Sequence, residues 1–211
     1  MLPIQVALDR YFFMLLDTSA GREYIKTNWL VNNQRSLPMT KKEFFHAISN
    51  GKVDVLQILL DTLAELKVNY CIIGGLAVNA YAEPIVSLDL DIIVAVDKLE
   101  VLCESLEGQF KIEKFAHSLN LSSNESDLRI QIQTDPRYQE FIDRAVNKTV
   151  LGYPMRVASM EDVLQGKIWA YSDDQRRKSK RQKDLTDIVR LVEVYPSLKH
   201  HLPEALQELI G

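Results

Sequence analysis

The chain has 211 residues, of which 46% are apolar and 26% charged, and a net charge of −4. That is enough chain for one ordinary domain with a buried core, and too apolar a composition for a disordered polypeptide. The mild negative charge excludes a general nucleic-acid coat and leaves room only for a local basic patch.

Cys71 and Cys103 stand far apart in apolar surroundings, the pattern of reduced core thiols. His46, His117, His200 and His201 have no zinc-ligand spacing. No run of about 18 uncharged apolar residues is present to span a membrane. No Lys or Arg precedes the first apolar run, and Asp9, Arg10 and Asp17 interrupt it, unlike a signal peptide. A cytoplasmic protein with no membrane partner is the expectation.

In chain order, IQVALDRYFFMLL (4–16) predicts a short helix, followed by irregular text up to residue 38. Regular patterning begins at Met39, which reads as a candidate start codon, so residues 1–38 are expected to be a dispensable extension. Thr40 and Glu43 make a capping box for a helix that Gly51 ends. In KVDVLQILLDTLAELK, Val53, Leu56, Ile58, Leu59, Leu63 and Leu66 form a broad apolar face of a second helix. NYCIIG (69–74) is a strand, LAVNAYA a short helix stopped by Pro84, and SLDLDIIVAV (87–96) a second strand. Asp97 is expected to cap KLEVLCESLE. QFKIEKFA and DLRIQIQT (127–134) alternate as strands, PRYQEFIDRAV reads as a helix, and YPMRVA as a short strand. Ser159 with Asp162 predicts a capping box for MEDVLQGKIWAYS. A basic run leads into the helix LTDIVRLVEVY, and Pro203 opens a last short helix. The fold class is α/β in the α+β sense, a small mixed β-sheet with flanking helices. The division expected is an extension (1–38), a core with leading helices (39–158) and a C-terminal helical segment packed on the core (159–211).

The chemistry concentrates in YCIIGGLAVNAYAEPIVSLDLDIIV (70–94). Asp89 and Asp91 share one face of a strand because side chains alternate. Two carboxylates this close repel unless a cation lies between them. Mg²⁺, with Mn²⁺ as an alternative, is typically held by one or two carboxylates together with substrate phosphates. Gly74-Gly75, at a strand end that turns straight into a helix, lets backbone approach a ligand and offers free N–H groups to an anion. Together these describe phosphoryl or nucleotidyl transfer. Each piece also has an ordinary reading: turn glycines are common, and Asp-x-Asp also occurs at strand ends facing water.

This segment resembles the signature of the polymerase-β-like nucleotidyltransferase superfamily: Gly followed by Gly or Ser, a short helix, then Asp-x-Asp on a strand. VASMEDVLQGKIWAYSDDQRRKSKRQKDLTDIVRLVE resembles the C-terminal half of its AbiEii/AbiGii toxin branch, with a helical Lys, a basic segment and a Lys/Arg-Asp-x-x-Asp motif. The likeness runs over roughly residues 52–195. It implies a nucleotidyltransferase-like fold and transfer of NMP from an NTP to a hydroxyl, with RNA or protein as acceptor. A cognate toxin or antitoxin protein becomes a partner. It makes Asp89 and Asp91 the catalytic metal ligands. Gly74, Gly75, Ser87, Lys167 and Lys183 become nucleotide contacts, and Asp184 and Asp187 polar supports.

Two positions depart from the pattern. The superfamily's third carboxylate falls on LRIQIQ, where Gln131 and Gln133 are the expected inward polar residues, with Asp127 and Asp135 at the strand ends as substitutes. The related toxins often carry a basic residue four positions before the first Asp, and here that position is Ile85. The alternative function is therefore a catalytically degenerate relative that binds a nucleotide or a partner. Arg176, Arg177, Lys178, Lys180, Arg181 and Lys183 read either as a solvated face or as a rim for triphosphate or RNA. Trp169 and Tyr171 read as core packing.

Overall fold

The computed structural model describes residues 39–211. The expectations placed on residues 1–38, the helix at 4–16 and the dispensable extension, lie outside the described residues. Helix α1 (Lys41–Ile48) starts at Thr40, whose side chain and backbone exchange hydrogen bonds with Glu43 in the predicted capping box. Helix α2 (Val55–Glu65) is capped by Asp54 and buries Val55, Leu56, Leu59, Leu60 and Leu63. Val53 lies ahead of that helix and is exposed, so the apolar face is narrower than the sequence pattern suggested.

Seven strands form one mixed sheet in the order β3-β4-β5-β2-β1-β7-β6. They are β1 (Tyr70–Ile73), β2 (Asp89–Val94), β3 (Lys111–Lys114), β4 (Ser118–Ser123), β5 (Ser126–Gln133), β6 (Val146–Val150) and β7 (Tyr153–Val157). β1 runs antiparallel to β2 and parallel to β7, while β2 runs parallel to β5. The outer strands add antiparallel neighbours. β2 and β5 are the central pair. Leu90, Ile92 and Val94 of β2 and Leu128, Ile130 and Ile132 of β5 are buried, whereas Arg129 and Gln131 on the opposite face of β5 are exposed. This alternation sends polar side chains to one face of the sheet and apolar ones to the other.

Between the strands lie α3 (Gly74–Val78) and α4 (Leu99–Leu106), and after them α5 (Met160–Ser172), α6 (Lys178–Val194) and α7 (Glu204–Ile210). α2 packs on α4 and β5, while α5 and α6 pack on each other and on α3. Trp169 of α5 closes an aromatic cluster with Tyr138 and Phe141, at ring-centroid distances of 5.2 and 5.7 Å. Such geometry adds to the burial of the rings.

Several local expectations are corrected. Asp97 caps no helix: it sits inside a 3-10 turn (Val96–Lys98), and α4 begins without a side-chain cap. PRYQEFIDRAV gives only a 3-10 turn over Pro136–Phe141, because Asp135 and Pro136 start a tight turn that the chain leaves for β6. Strands β4 and β6 were not anticipated; their polar text, SLNLSS and VNKTV, has weak alternation, and pairing with β5 and β7 makes them strands. The last long helix starts earlier than LTDIVRLVEVY: α6 begins at Lys178, so most of the basic run forms its first turns.

Both cysteines are free, Cys71 fully buried and Cys103 half-buried. Burial pushes the Cys71 thiol up to about 12. At pH 8 it is therefore almost wholly protonated as well as enclosed. Iodoacetamide treatment of the native protein at pH 8, read by mass spectrometry, should alkylate Cys103 and leave Cys71 unmodified until denaturant is added.

Candidate functional site

The register of β1 and β2 builds the site. Ile73 pairs with Asp91, so the residue after Ile73, Gly74, arrives directly beside the Asp91 side chain. Gly74 has φ +69°, in the left-handed region, and a Cβ there would lie 2.1 Å from Asp91 Oδ2. Only glycine satisfies both conditions. Gly75 has ordinary backbone, and a Cβ there would come 3.9 Å from Lys183 Nζ. The diglycine turn, the acidic strand and α6 thus meet at one place.

That place is a cavity of about 480 Å³. Gly75, Ser87, Asp89, Asp91, Gln131, Lys167, Lys183 and Asp184 of the sequence-predicted set line it. Gly74 touches it through its contact with Asp91, while Gln133 and Asp187 are not among its lining residues. Gln133 turns its amide oxygen to the Thr134 and Asp135 backbone N–H groups, fastening the end of β5 instead of facing the cleft. Asp135 forks with Arg137, and exposed Asp127 does not line the cavity, so neither takes the third-carboxylate place. The acidic residue that sequence reasoning missed is Glu113 of β3, which lines the far side and pairs with Lys111 at 2.7 Å. Register explains the miss: Glu113 opposes Asn120, Asn120 opposes Gln131, and Gln131 opposes Asp91, a row crossing the unforeseen β4.

The two aspartates differ in their surroundings. Asp89 Oδ1 accepts Arg129 at 2.8 Å, and its Oδ2 lies 3.7 Å from Lys180 Nζ. Among the described residues no hydrogen bond or ion pair holds the Asp91 carboxylate. Burial pushes its pKa above the ordinary carboxylate value and the charge of Asp89 adds to that, while Lys167, Arg176 and Lys183 pull the other way. A desolvated carboxylate without a bonded partner favours a cation beside it. Ser87 turns its hydroxyl onto the Asp89 backbone, where it accepts the N–H at 3.3 Å and shapes the start of β2.

Among the described residues, no group of three or more His, Cys, Asp or Glu is gathered to hold a metal ion. The donor set is two carboxylates two residues apart. It fits an oxygen-seeking divalent ion that takes its remaining ligands from phosphate and water, and it does not fit a preformed cage.

Behind the cavity lies a buried ion network. Lys167 Nζ sits 3.0 Å from Asp184 Oδ1 and 2.6 Å from Asp187 Oδ2. Asp184 also accepts Arg176 and Asp187 accepts Arg190, both at 2.7 Å. Burial alone would lower the Lys167 pKa, but the two carboxylates outweigh it and hold it above the usual lysine value. The ammonium is therefore engaged by α6, and its direct effect on the cavity is its charge near Asp91. Arg190 also donates to Asn79 and to the Glu83 carbonyl, tying α6 to the loop before β2. Asn79 clamps the Ile85 backbone at both N–H and C=O, so the position where the toxin resemblance expected a basic residue holds an exposed apolar side chain on a pinned loop. In contrast, Arg177 and Lys183, which line the cavity, have no ion-pair partner among the described residues.

No protein-family model and no curated protein sequence matches the chain. Among solved structures, the lincosamide antibiotic adenylyltransferase LnuA, lincomycin-bound, is similar at 16% identity and a TM-score of 0.48, over 67% of this chain and 99% of that one. An antigenic nucleotidyltransferase-like protein from Paracoccidioides brasiliensis is similar at 20% identity and a TM-score of 0.48, over 73% and 83%. ANT(2")-Ia in complex with adenylyl-2"-tobramycin is similar at 18% identity and a TM-score of 0.48, over 74% and 94%. With TM-scores below 0.5, these likenesses leave the chemistry of the site to its own residues. No helix among the described residues is long and apolar enough to cross a membrane.

Three substitutions test this packing. Gly74→Ala should destabilise the fold by about 2–4 kcal/mol, from left-handed backbone strain plus overpacking on Asp91, whereas Gly75→Ala should unfold within about 0.5 kcal/mol of the parent. Lys167→Met leaves Asp184 and Asp187 without their shared cation and should cost about 3–5 kcal/mol. Urea unfolding followed by circular dichroism measures all three.

Proposed function

We propose that the chain is a nucleotidyltransferase that moves NMP from an NTP to a hydroxyl acceptor, with Asp89 and Asp91 as the ligands of Mg²⁺ or Mn²⁺. The observation that carries this reading is the Asp91 carboxylate pressed against Gly74, in the same cavity as the cations Lys183 and Arg177, none of the three having a side-chain partner among the described residues. A negatively charged floor beside a positively charged wall suits a metal-bound polyphosphate.

In this reading the divalent ion, when bound, neutralises charge on the phosphate oxygens during transfer. Everything else belongs to the chain. Lys183 and Arg177 attract the triphosphate, and Lys167 adds fixed positive charge from behind. The absence of side chains at Gly74 and Gly75 lets phosphate approach the backbone. α3 is only five residues long, so the α6 cations rather than a helix dipole supply most of the attraction. Positioning and charge neutralisation of this kind account for most of the catalysis in phosphoryl transfer.

A second reading is favoured by one specific observation. β5 places Arg129 beside Asp89 and Gln131 beside Asp91, and neither supplies a carboxylate. The chain would then be a catalytically degenerate relative binding a nucleotide or a partner. A toxin–antitoxin role, with an RNA or protein acceptor or a cognate toxin or antitoxin as partner, follows from the AbiEii/AbiGii resemblance alone.

The test is label transfer. Purified full-length protein, Mg²⁺ and each α-labelled NTP would be incubated with RNA, protein and small hydroxyl acceptors. The enzymatic reading expects a labelled product that falls at least about 100-fold in Asp91→Asn, the scale on which one essential catalytic group acts. Nucleotide binding with no labelled acceptor of any class would establish the second reading instead.

A further inference from the structure

The cation held by Asp89 offers more than a salt bridge. Arg129 is the register partner of Asp89 across the β2–β5 ladder, so the sheet sets its backbone beside that aspartate. Its guanidinium lies 2.8 Å from Asp89 Oδ1, yet its side chain is 74% exposed, against 32% for Asp89. It is anchored at the backbone, while its paired tip stays open to solvent. No other carboxylate forms an ion pair with it among the described residues. Lys180 approaches the second oxygen of the same carboxylate at 3.7 Å. Asp91, two residues on, has neither kind of partner among the described residues. One aspartate of the pair is thus covered by cations and the other is bare.

We infer that Arg129 is a built-in counter-ion that competes with the divalent cation for Asp89, so that metal binds only as this arginine lets go. The inference rests on the metal-site reading above and concerns how that site is controlled. Without a metal, two adjacent carboxylates repel, and the Arg129 charge relieves the repulsion at Asp89. An exposed pair of this kind is weak, so it offsets the repulsion yet yields to a stronger competitor. A bound polyphosphate presents a better anion for both Arg129 and Lys180, and their departure frees Asp89. Nucleotide and metal then favour each other's binding by the same factor, as linkage requires. Free metal, arriving alone, meets the competition in full. Arg129 is in this sense a positioning residue for the site's ionic state and takes no part in bond making.

The experiment is a titration of the full-length protein with Mn²⁺ alone, reading free Mn²⁺ by electron paramagnetic resonance at fixed ionic strength. Arg129→Gln is expected to tighten Mn²⁺ binding by roughly two- to fivefold, the span that loss of an exposed ion pair allows. Lys180→Gln, at the longer contact, should give a smaller gain, and Arg129→Lys should stay near the parent because it keeps the charge. In an Asp89→Asn background the Arg129→Gln gain should vanish. Unchanged or weaker Mn²⁺ binding in Arg129→Gln, with Asp89→Asn still weakening it, would overturn the competition and leave the metal site standing. An equal gain in the Asp89→Asn background would also overturn it, since the effect would then be long-range charge. If Asp89→Asn does not weaken Mn²⁺ binding at all, the metal-site reading falls and this inference with it.

Discussion

The close approach of the Gly74 backbone to the Asp91 carboxylate is the constraint on which the rest of the site depends. It arises from one register: Ile73 opposite Asp91 in an antiparallel pair, with the chain turning into a helix at the next residue. Any larger residue at Gly74 would push the acidic side chain away, and any shift of one residue would turn Asp89 and Asp91 into the apolar layer. The buried neighbours Ile72, Leu90 and Ile92 oppose such a slip, because it would send them toward the cavity. Ordinary hydrophobic burial thereby holds a costly electrostatic arrangement in place.

That arrangement is balanced by charge at two depths. Near the surface, Asp89 is matched by Arg129 and Lys180, weak exposed contacts that exchange readily. Deeper, Lys167 is locked between Asp184 and Asp187, and Arg176 and Arg190 complete the network. The deep network joins α5 to α6 and fixes where the first turns of α6 stand, which in turn sets the distance between Lys183 and the diglycine turn. Its polar groups carry hydrogen bonds or close opposite charges, the condition under which buried ions are tolerated. Rigid ions behind and exchangeable ions in front make a cavity whose walls are stiff but whose occupants are replaceable.

Much of the fold was legible along the chain. The Thr40–Glu43 capping box appears as expected, and the strand expected over 69–74, the Asp-x-Asp strand and the long alternating strand carrying Gln131 appear within one or two residues of where local pattern put them. These signals are local: a cap spans four residues and strand alternation repeats every two. Strands β4 and β6 escaped because their short polar text carries little alternation of its own. The helix expected over PRYQEFIDRAV shrank to a 3-10 segment over Pro136–Phe141 because the nearby strand pairings claimed the chain on either side.

For the candidate site, the sequence by itself determined which residue types were present: two glycines at a strand end, two aspartates on one face, and a run of cations on a later helix. Only the tertiary structure decided which of those cations remained available. Lys167 and Lys183 look alike in a string of letters, yet one is enclosed by two carboxylates and the other is exposed beside Gly75. Arg129 and Gln131 acquired their meaning only when β5 came to lie parallel to β2 and set them beside Asp89 and Asp91. The reason is physical: the charge a site presents is a sum over neighbours in space, and strand pairing over tens of residues chooses those neighbours, whereas local pattern reaches only a few residues along the chain.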